Sequence, residues 1–249
     1  MATKIKYALQ GGPNGDEPAR LLFSSVVVPS AAKLKNGGFA EPKRSATFGI
    51  GEKDFKALVG HMIEAIKSEM GTFSKPDDYY LACMSGETAA KRAIAKAAFD
   101  AQGKPADEAF KIKEKAEGYA AMYRQYAGIL TANSKFDVSI ARLEGGKVID
   151  IITDGMTPEQ LKKTEKDYFY RGAYVSGAIE LSAFRRKTLD DKDGVTAYLQ
   201  NVLFVRRGES LGGASAPNSS VFGGYTGYSD VDPTAMAPDG AAVEEASDF

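Results

Sequence analysis

The chain has few of the residues that metal sites and nucleophilic active sites need. Its 249 residues include one cysteine, Cys83, and one histidine, His61. A single cysteine excludes an internal disulfide framework, and with one histidine beside it no zinc site of the usual spacing can form. Neither phosphate-binding glycine motif, G-x-x-x-x-G-K-[ST] or G-x-G-x-x-G, occurs. We therefore expect no cofactor, no metal and no catalysis, and we interpret Cys83 as a buried structural thiol.

Long hydrophobic runs are also missing. The longest uncharged, mostly apolar stretch covers residues 21–32, is too short to span a membrane and is interrupted by Pro29. The first fifteen residues lack the apolar segment of a signal peptide. We therefore expect a cytoplasmic protein, located in the host cell if a phage encodes it. With 43% hydrophobic and 26% charged residues, the chain has enough apolar material for a core of ordinary size.

Positive charge is absent from the last part of the chain. All 32 Lys and Arg residues lie at or before Arg207, whereas 7 of the 33 acids follow it. The other 26 acids precede it, so residues 1–207 carry +6 and residues 208–249 carry −7. A basic body followed by an acidic segment indicates a polyanion as the partner of the body.

The hydrophobic pattern predicts a mainly β domain with inserted helices. Strand patterns cover residues 19–29, 44–50, 127–134, 135–143, 147–155, 174–186 and 195–206, and helical patterns cover residues 52–69, 88–102, 107–126 and 156–167. The last two strands form an antiparallel hairpin with an Asp193-Gly194 turn. This order fits a closed or partly open barrel over residues 19–213, with a helical insert at about 85–128. We expect residues 1–18 to form a loose arm. Residues 214–249, which lack Leu and Ile, should be disordered.

Alternation along the last two strands places two aromatic rings and an arginine of each on the water side. These residues are Tyr174, Phe184 and Arg186 in the first strand, and Tyr198, Phe204 and Arg206 in the second. Rings that stack on bases, next to cations that follow phosphates, are what binding of single-stranded nucleic acid requires. Alternatively, a helix of the insert covers the rings, and for a single ring the pattern does not decide. The four rings together favour a stacking platform.

Basic residues also gather in two connections. The hairpin connection holds Arg185, Arg186, Lys187 and Lys192, and the connection between the first two strands holds Lys33, Lys35, Lys43 and Arg44. Taken alone, such residues are typical of solvated surface charge. Because an OB-fold grips oligonucleotides with its loops between the first two and the last two strands, their position indicates contacts with phosphates.

Two stretches resemble a family of tailed-phage single-stranded-DNA-binding proteins. They are Y-R-G-A-Y-V-S-G at residues 170–177, and residues 194–213 with their L-x-N-V strand and G-E-x-L-G-G exit. Residues 19–48 and 126–135 are similar to the same family. The resemblance implies an OB-fold, a five-stranded Greek-key barrel in which the two basic connections grip the strand. It also implies sequence-independent coating of single strands in phage DNA replication, recombination and repair.

The ending E-E-A-S-D-F resembles the acidic, phenylalanine-terminated tails of bacterial and phage single-stranded-DNA-binding proteins. That resemblance implies a site for replication proteins such as a polymerase, primase, helicase or nuclease, formed by Glu244, Glu245, Asp248 and Phe249. A terminal ring can enter an apolar pocket while the carboxylates pair with a basic rim. Three alternatives stay open: a strand-annealing recombination protein, a phosphodiester-cleaving enzyme, and a structural phage component that binds no nucleic acid. Whether the protein is a homo-oligomer is also open.

Overall fold

The structure is a computed structural model that describes residues 4–11, 17–31, 38–186 and 192–211. The chain divides into two compact units, residues 1–212 and 213–249, and the described residues all belong to the first. The predictions made for Lys33, Lys35, Lys187 and residues 214–249 therefore lie outside the described residues.

Ten strands and four α-helices make up the described part of the chain. The strands are β1 (Lys4–Ala8), β2 (Ala19–Ser30), β3 (Lys43–Ile50), β4 (Tyr80–Leu81), β5 (Cys83–Ser85), β6 (Gly128–Ser134), β7 (Ser139–Glu144), β8 (Lys147–Asp150), β9 (Tyr174–Phe184) and β10 (Gly194–Arg206). The helices are α1 (Glu52–Met70), α2 (Gly86–Asp100), α3 (Ala106–Tyr123) and α4 (Pro158–Tyr168). The predicted class, mainly β with inserted helices, is confirmed.

All ten strands belong to one mixed sheet. Its main path runs β1-β9-β2-β3-β6-β10-β7-β8, and β9 also pairs with β10. The pairings of β2, β3, β6, β10 and β9 therefore return to their starting point, and we call these five strands the strand ring. Within it β6 and β10 run parallel, and the other neighbours run antiparallel.

Each strand of the ring contributes side chains to one hydrophobic core. Examples are Leu21, Phe48, Leu130, Ile179 and Val195, all fully buried. Helix α1 adds its apolar face to this core, including Leu58, Met62 and Ile66. The ring and the helix therefore share one core, and polar or exposed side chains of the ring strands point outward.

The N-terminal segment is fixed to the body, so the prediction of a loose arm is wrong for residues 4–11. Strand β1 pairs antiparallel with β9. Beyond it, the buried carboxylate of Asp54 accepts hydrogen bonds from the Tyr7 hydroxyl at 2.6 Å and from the backbone amides of Gln10 and Gly11 at 2.9 and 2.7 Å. Burial, together with the bond to Asp54, raises the pKa of Tyr7. A buried carboxylate needs such donors, which composition alone does not reveal.

Strand β10 contains one residue more than the strand beside it. Leu199 lies opposite Ile179 and Asn201 lies opposite Ala178, so Gln200 has no partner in β9. This irregularity is a β-bulge. It reverses the faces of the strand, because side chains alternate with a period of two.

The bulge corrects the predicted face of Phe204. Leu199 faces the core before the bulge, whereas Val202 and Phe204 face it afterwards. Phe204 is 8% exposed, and its ring and that of Tyr168 pack edge to face, with centroids 5.3 Å apart. The prediction that Phe204 faces water is therefore wrong, since an inserted residue does not show in the alternation of a single strand.

Helices α2 and α3 pack against each other, and we call them the helical hairpin. Ser85 caps α2 by accepting a hydrogen bond from the amide of Thr88 at 3.1 Å. The chain leaving α3 packs on the outer face of β3, where a Cβ added to Gly49 would lie 2.5 Å from the Tyr126 ring. The hairpin therefore stands over the outer faces of β3 and β6.

Helix α4 begins at Pro158, two residues after the start of the predicted helical pattern, and is anchored to β2. Thr157 and Gln160 form a reciprocal capping box. Further along, the Glu165 carboxylate accepts hydrogen bonds from three successive amides of β2, those of Val26, Val27 and Val28, at 3.1, 2.5 and 3.0 Å. These residues lie where the pairing of β2 with β3 is interrupted. In the described part of the chain, no helix is long and apolar enough to cross a membrane.

Candidate nucleic-acid interface

An open groove of about 640 Å³ lies on the outer side of the strand ring, and we call it the tyrosine groove. Tyr198 of β10 lines it opposite Asn133 of β6, and its side chain is 45% exposed. Phe136, in the turn after β6, lines it too and is 81% exposed. Three lysines, Lys4, Lys43 and Lys135, line it as well, together with the carboxylates of Asp137 and Glu180. Two accessible rings thus stand among cations.

The turn after β6 holds Phe136 in its exposed position. The buried hydroxyl of Ser134 donates to the carbonyl of Phe136 at 3.0 Å and accepts from its amide at 3.1 Å. Next to it, the Arg44 guanidinium pairs with Asp137 at 2.7 Å. Arg44, predicted to contact phosphates, is thus 20% exposed and engaged in holding this turn.

The lysines of the tyrosine groove differ in their partners. Lys4 pairs with Glu180 at 2.9 Å, and Lys135 pairs with Glu41 at 2.7 Å. The hydrogen bond to Glu180 raises the pKa of Lys4, and the hydrogen bond from Lys135 lowers the pKa of Glu41. The Lys135–Glu41 pair is exposed on both sides, and such pairs contribute little to stability, so a phosphate can replace Glu41. Within the described residues, Lys43 has no ion-pair partner.

Tyr174 lies in a different environment, which we call the arginine clamp. The Arg206 guanidinium lies 3.7 Å from the centre of the Tyr174 ring, and that of Arg20 lies 4.4 Å from it. Arg20 also donates to the Tyr174 hydroxyl at 2.9 Å, and Arg206 pairs with Glu17 at 3.0 Å. The two arginines come from the strands on either side of β9, so they cover a ring that the sequence predicted to be open.

Beside the arginine clamp, the residues of the family motif pack against each other. The Tyr170 hydroxyl donates to the carbonyl of Gly208 at 2.8 Å and accepts from its amide at 2.9 Å. Gly172 has a φ of +104°, and a Cβ there would lie 2.0 Å from the carbonyl oxygen of Glu209. Only glycine fits such a contact. These motif residues therefore fasten the chain after β10 to the loop before β9.

The four predicted rings do not form one platform. Tyr174 and Phe184 stand at opposite ends of the 11-residue strand β9, about 33 Å apart at the usual rise per residue. Phe184 is half-buried, with its ring centre 6.2 Å from that of Tyr80. Phe204 lies in the core. Of the four, Tyr198 presents the most accessible ring, as the sequence predicted.

Two described cations of the hairpin connection, Arg185 and Lys192, contact nearby backbone carbonyls. Arg185 donates to the carbonyl of Glu69 at 2.9 Å, and Lys192 donates to the carbonyl of Asp77. The amide of Arg186 donates to the Asp193 carboxylate at 2.6 Å, which closes the turn. Arg185, Arg186 and Lys192 are not among the residues that line the tyrosine groove.

Sequence reasoning missed Phe136, Lys135 and Lys4. Phe136 and Lys135 were assigned to a strand over residues 135–143, whereas β7 begins at Ser139. The Asn133-Ser134 pair, typical of turns, is the signal that places an aromatic ring in a connection. Lys4 was assigned to the loose arm.

The described residues include no cluster of metal-ligating side chains and no accessible thiol. None of its groups of three or more His, Cys, Asp or Glu residues could hold a metal ion. Cys83 is 1% exposed, and burial raises the pKa of its thiol. The interpretation of Cys83 as a structural thiol is therefore confirmed.

Residues 16–232 match the model of a protein family described as the ssDNA-binding protein of Enterobacter phage Enc34. The chain belongs to this family. Its members are DNA-binding proteins, not enzymes. The resemblance drawn from the motifs at residues 170–177 and 194–213 is thus confirmed.

Solved structures similar to the chain are phage proteins as well. One is the single-stranded DNA-binding protein from bacteriophage Enc34 in complex with ssDNA, 17% identical, with 84% of this chain and 89% of that chain covered and a TM-score of 0.48. Another is gp2.5 of bacteriophage T7, a single-stranded DNA binding protein, 9% identical, with 92% and 100% covered and a TM-score of 0.42. No match to a curated protein was found.

Proposed function

We propose that this protein binds single-stranded DNA without sequence preference and that the tyrosine groove holds the strand. It would coat single strands in phage DNA replication, recombination and repair, in the cytoplasm of the host. The observation that carries this proposal is the exposed Tyr198 ring, with Phe136 and three lysines around it. Membership of a family of single-stranded-DNA-binding proteins supports it.

Binding in the tyrosine groove combines stacking with charge neutralisation. A base that stacks on Tyr198 contributes about 1–3 kcal/mol, whichever base it is. Phosphates pair with Lys43 directly, with Lys135 by replacing Glu41, and with the exposed ammonium group of Lys4 beside Glu180. Each phosphate bound contributes about −0.7 to the log–log salt slope.

We infer that the strand ring is the five-stranded barrel of an OB-fold. Numbered in chain order within the ring, β2, β3, β6, β9 and β10 are its first to fifth strands. The third strand pairs with the fifth, the fifth with the fourth, and the fourth with the first, which closes the ring. In an OB-fold the second and third strands and the loops after the first and fourth strands bind oligonucleotides. The tyrosine groove borders β6, the third strand.

The basic loop residues belong to the same proposal as an extension of the DNA path. They are Lys33, Lys35, Lys43 and Arg44 in the first loop, and Arg185, Arg186, Lys187 and Lys192 in the second. Phe184 stands at the base of the second loop. Because Lys33, Lys35 and Lys187 lie outside the described residues, their part rests on sequence position.

The acidic end of the chain supplies the proposed partner site. We assign the binding of replication proteins to Glu244, Glu245, Asp248 and Phe249, on their resemblance to tails of that function. Deleting Phe249 should leave DNA affinity unchanged and abolish binding to a purified phage polymerase or primase-helicase. A Ser247→Ala variant is the matched control. Partner binding that survives the deletion contradicts the assignment.

The test of the proposed function is fluorescence anisotropy with labelled oligothymidylate and with a duplex of equal length, at two salt concentrations. We expect tighter binding of the single strand, because a duplex hides the base faces, and a strong loss with salt. Equal affinity for the two contradicts stacking in the tyrosine groove. Shortened strands after incubation with magnesium would indicate a phosphodiester-cleaving enzyme.

A further inference from the structure

A second cleft, of about 510 Å³, lies between the helical hairpin and the outer faces of β3 and β6. We call it the hairpin cleft. Its sheet side presents Thr47 and Thr131, whose hydroxyl oxygens lie 3.3 Å apart. Its helix side presents Tyr119 and Tyr123 of α3, together with small alanine side chains. The cleft therefore offers hydroxyl groups on one wall and aromatic rings on the other.

Cations line the helix side of the hairpin cleft. Arg92 and Lys96 come from α2, and Lys115 comes from α3. Lys96 is paired with Asp100 one turn further along. Within the described residues, no carboxylate lies within ion-pair distance of Arg92 or Lys115. Two exposed cations thus face a cleft without an anionic partner.

The tyrosines of the hairpin cleft are held in place by the body of the protein. The edge of the Tyr119 ring meets Phe23 of β2, with centroids 5.3 Å apart, and the Arg171 guanidinium lies 5.1 Å from the Tyr119 centroid. Lys115 lies above the same ring at 5.7 Å. A ring fixed in this way loses little conformational entropy when a ligand stacks on it.

The hairpin cleft and the tyrosine groove lie along the same strand. Thr131 lines the first and Asn133 lines the second, and both point outward from β6. Two residues of a β-strand span about 6–7 Å. A polymer that leaves the tyrosine groove along β6 therefore reaches the hairpin cleft directly.

We propose that the hairpin cleft binds a second length of the same DNA single strand, with the helical hairpin as its outer wall. Arg92 and Lys115 bind phosphates there, and Tyr119 and Tyr123 contact sugars or bases. This proposal rests on the proposed function and deepens it, because it assigns to the helices of the insert a direct part in DNA binding. A partner without a regular chain of phosphates would not use both clefts in succession.

The test compares two double variants that remove the same charge from the hairpin. Arg92→Ala with Lys115→Ala empties the cleft of its unpaired cations. Lys111→Ala with Lys113→Ala, on exposed positions of α3 outside the cleft, is the matched control. Both are measured against oligothymidylates of about 8 and about 25 nucleotides, the first within and the second beyond the usual site size of one OB-fold. Melting temperatures establish that both variants are folded.

We expect the cleft variant to bind the long strand about tenfold more weakly, with a log–log salt slope shallower by about 1.4 for two lost phosphates. The number of nucleotides covered per protein should fall as well. Its affinity for the short strand, which the tyrosine groove accommodates alone, should equal that of the control variant. This combination supports the second site.

Two results overturn the proposal. In the first, the cleft variant matches the control in long-strand affinity, salt slope and nucleotides covered. In the second, short and long strands are weakened equally, which places Arg92 and Lys115 at the first site. Failure of the proposed function gives a different result. In that case a Tyr198→Ala variant binds the short and the long oligothymidylate as tightly as the unmodified protein does.

Discussion

Tyr174 and Tyr198 are alike in the sequence and different in the structure. Each is an outward tyrosine of the hairpin formed by β9 and β10. The Tyr174 ring is covered by Arg20 and Arg206, whereas Tyr198 is 45% exposed beside an open groove. The comparison teaches that the neighbouring strands decide whether an aromatic ring is available to a ligand.

The register explains the difference. Arg20 and Arg206 lie opposite Tyr174 in the two adjacent strands. Asn133 and Glu180 lie opposite Tyr198, and neither brings a cation over its ring. A long cationic side chain such as arginine spreads over an aromatic face, whereas Asn133 and Glu180 leave the face of Tyr198 open.

The largest effect should come from the ring that belongs to neither site. Phe204→Ala should lower the free energy of unfolding by about 3–5 kcal/mol, because it leaves a cavity in the core. Urea unfolding measures the loss, and titration of the remaining folded protein should give unchanged DNA affinity. A stable variant with weakened DNA binding would restore the original assignment of Phe204 to the platform.

The next effect concerns the open tyrosine. Tyr198→Ala should cost about 1–3 kcal/mol of single-strand binding, since it removes a stacking surface. Its melting temperature should stay close to that of the unmodified protein. Tyr198→Phe keeps the ring and serves as the control, with binding nearly intact. Loss of binding in both variants would point to the hydroxyl group instead of stacking.

The covered tyrosine should show the opposite result. Tyr174→Leu should lower stability by about 1–2 kcal/mol, because two cation–π contacts are lost. DNA affinity, measured by anisotropy, should change less than twofold. Tyr174→Phe retains the ring and should recover most of the stability. If Tyr174→Leu weakens DNA binding as much as Tyr198→Ala does, the arginine clamp opens when DNA binds.

The smallest effect is that of a single charge. Lys43→Ala should make the log–log salt slope shallower by about 0.7, the share of one phosphate. Lys163→Ala, an exposed position of α4 away from the groove, is the control and should leave the slope unchanged. Equal slopes for the two variants would remove Lys43 from the interface.

Local rules predicted much of the fold. The helical spacing in α1 and the alternation in the antiparallel hairpin of β9 and β10 each depend on residues close in sequence. The bulge at Gln200 depends on the partner strand, so the sequence led to the wrong face for Phe204. Asp54 and its amide partners are separated by more than forty residues, which kept β1 hidden.

The recognisable motif and the candidate interface are largely different residues. Tyr170, Gly172 and Gly208 make the family resemblance visible, and their contacts fasten chain segments together. Among the residues of the tyrosine groove, Tyr198 could be predicted from the alternation of side chains in its own strand. Phe136 and Lys135 were not, because a three-residue turn sets their exposure.

Ultraviolet crosslinking of the full chain to oligothymidylate, followed by peptide mass spectrometry, tests the central claim most directly. Aromatic rings stacked on bases crosslink efficiently because they are in contact with them. The account predicts crosslinks at Tyr198 and Phe136, and none at Tyr174. Crosslinks at Tyr174 with none at Tyr198 or Phe136 would contradict it.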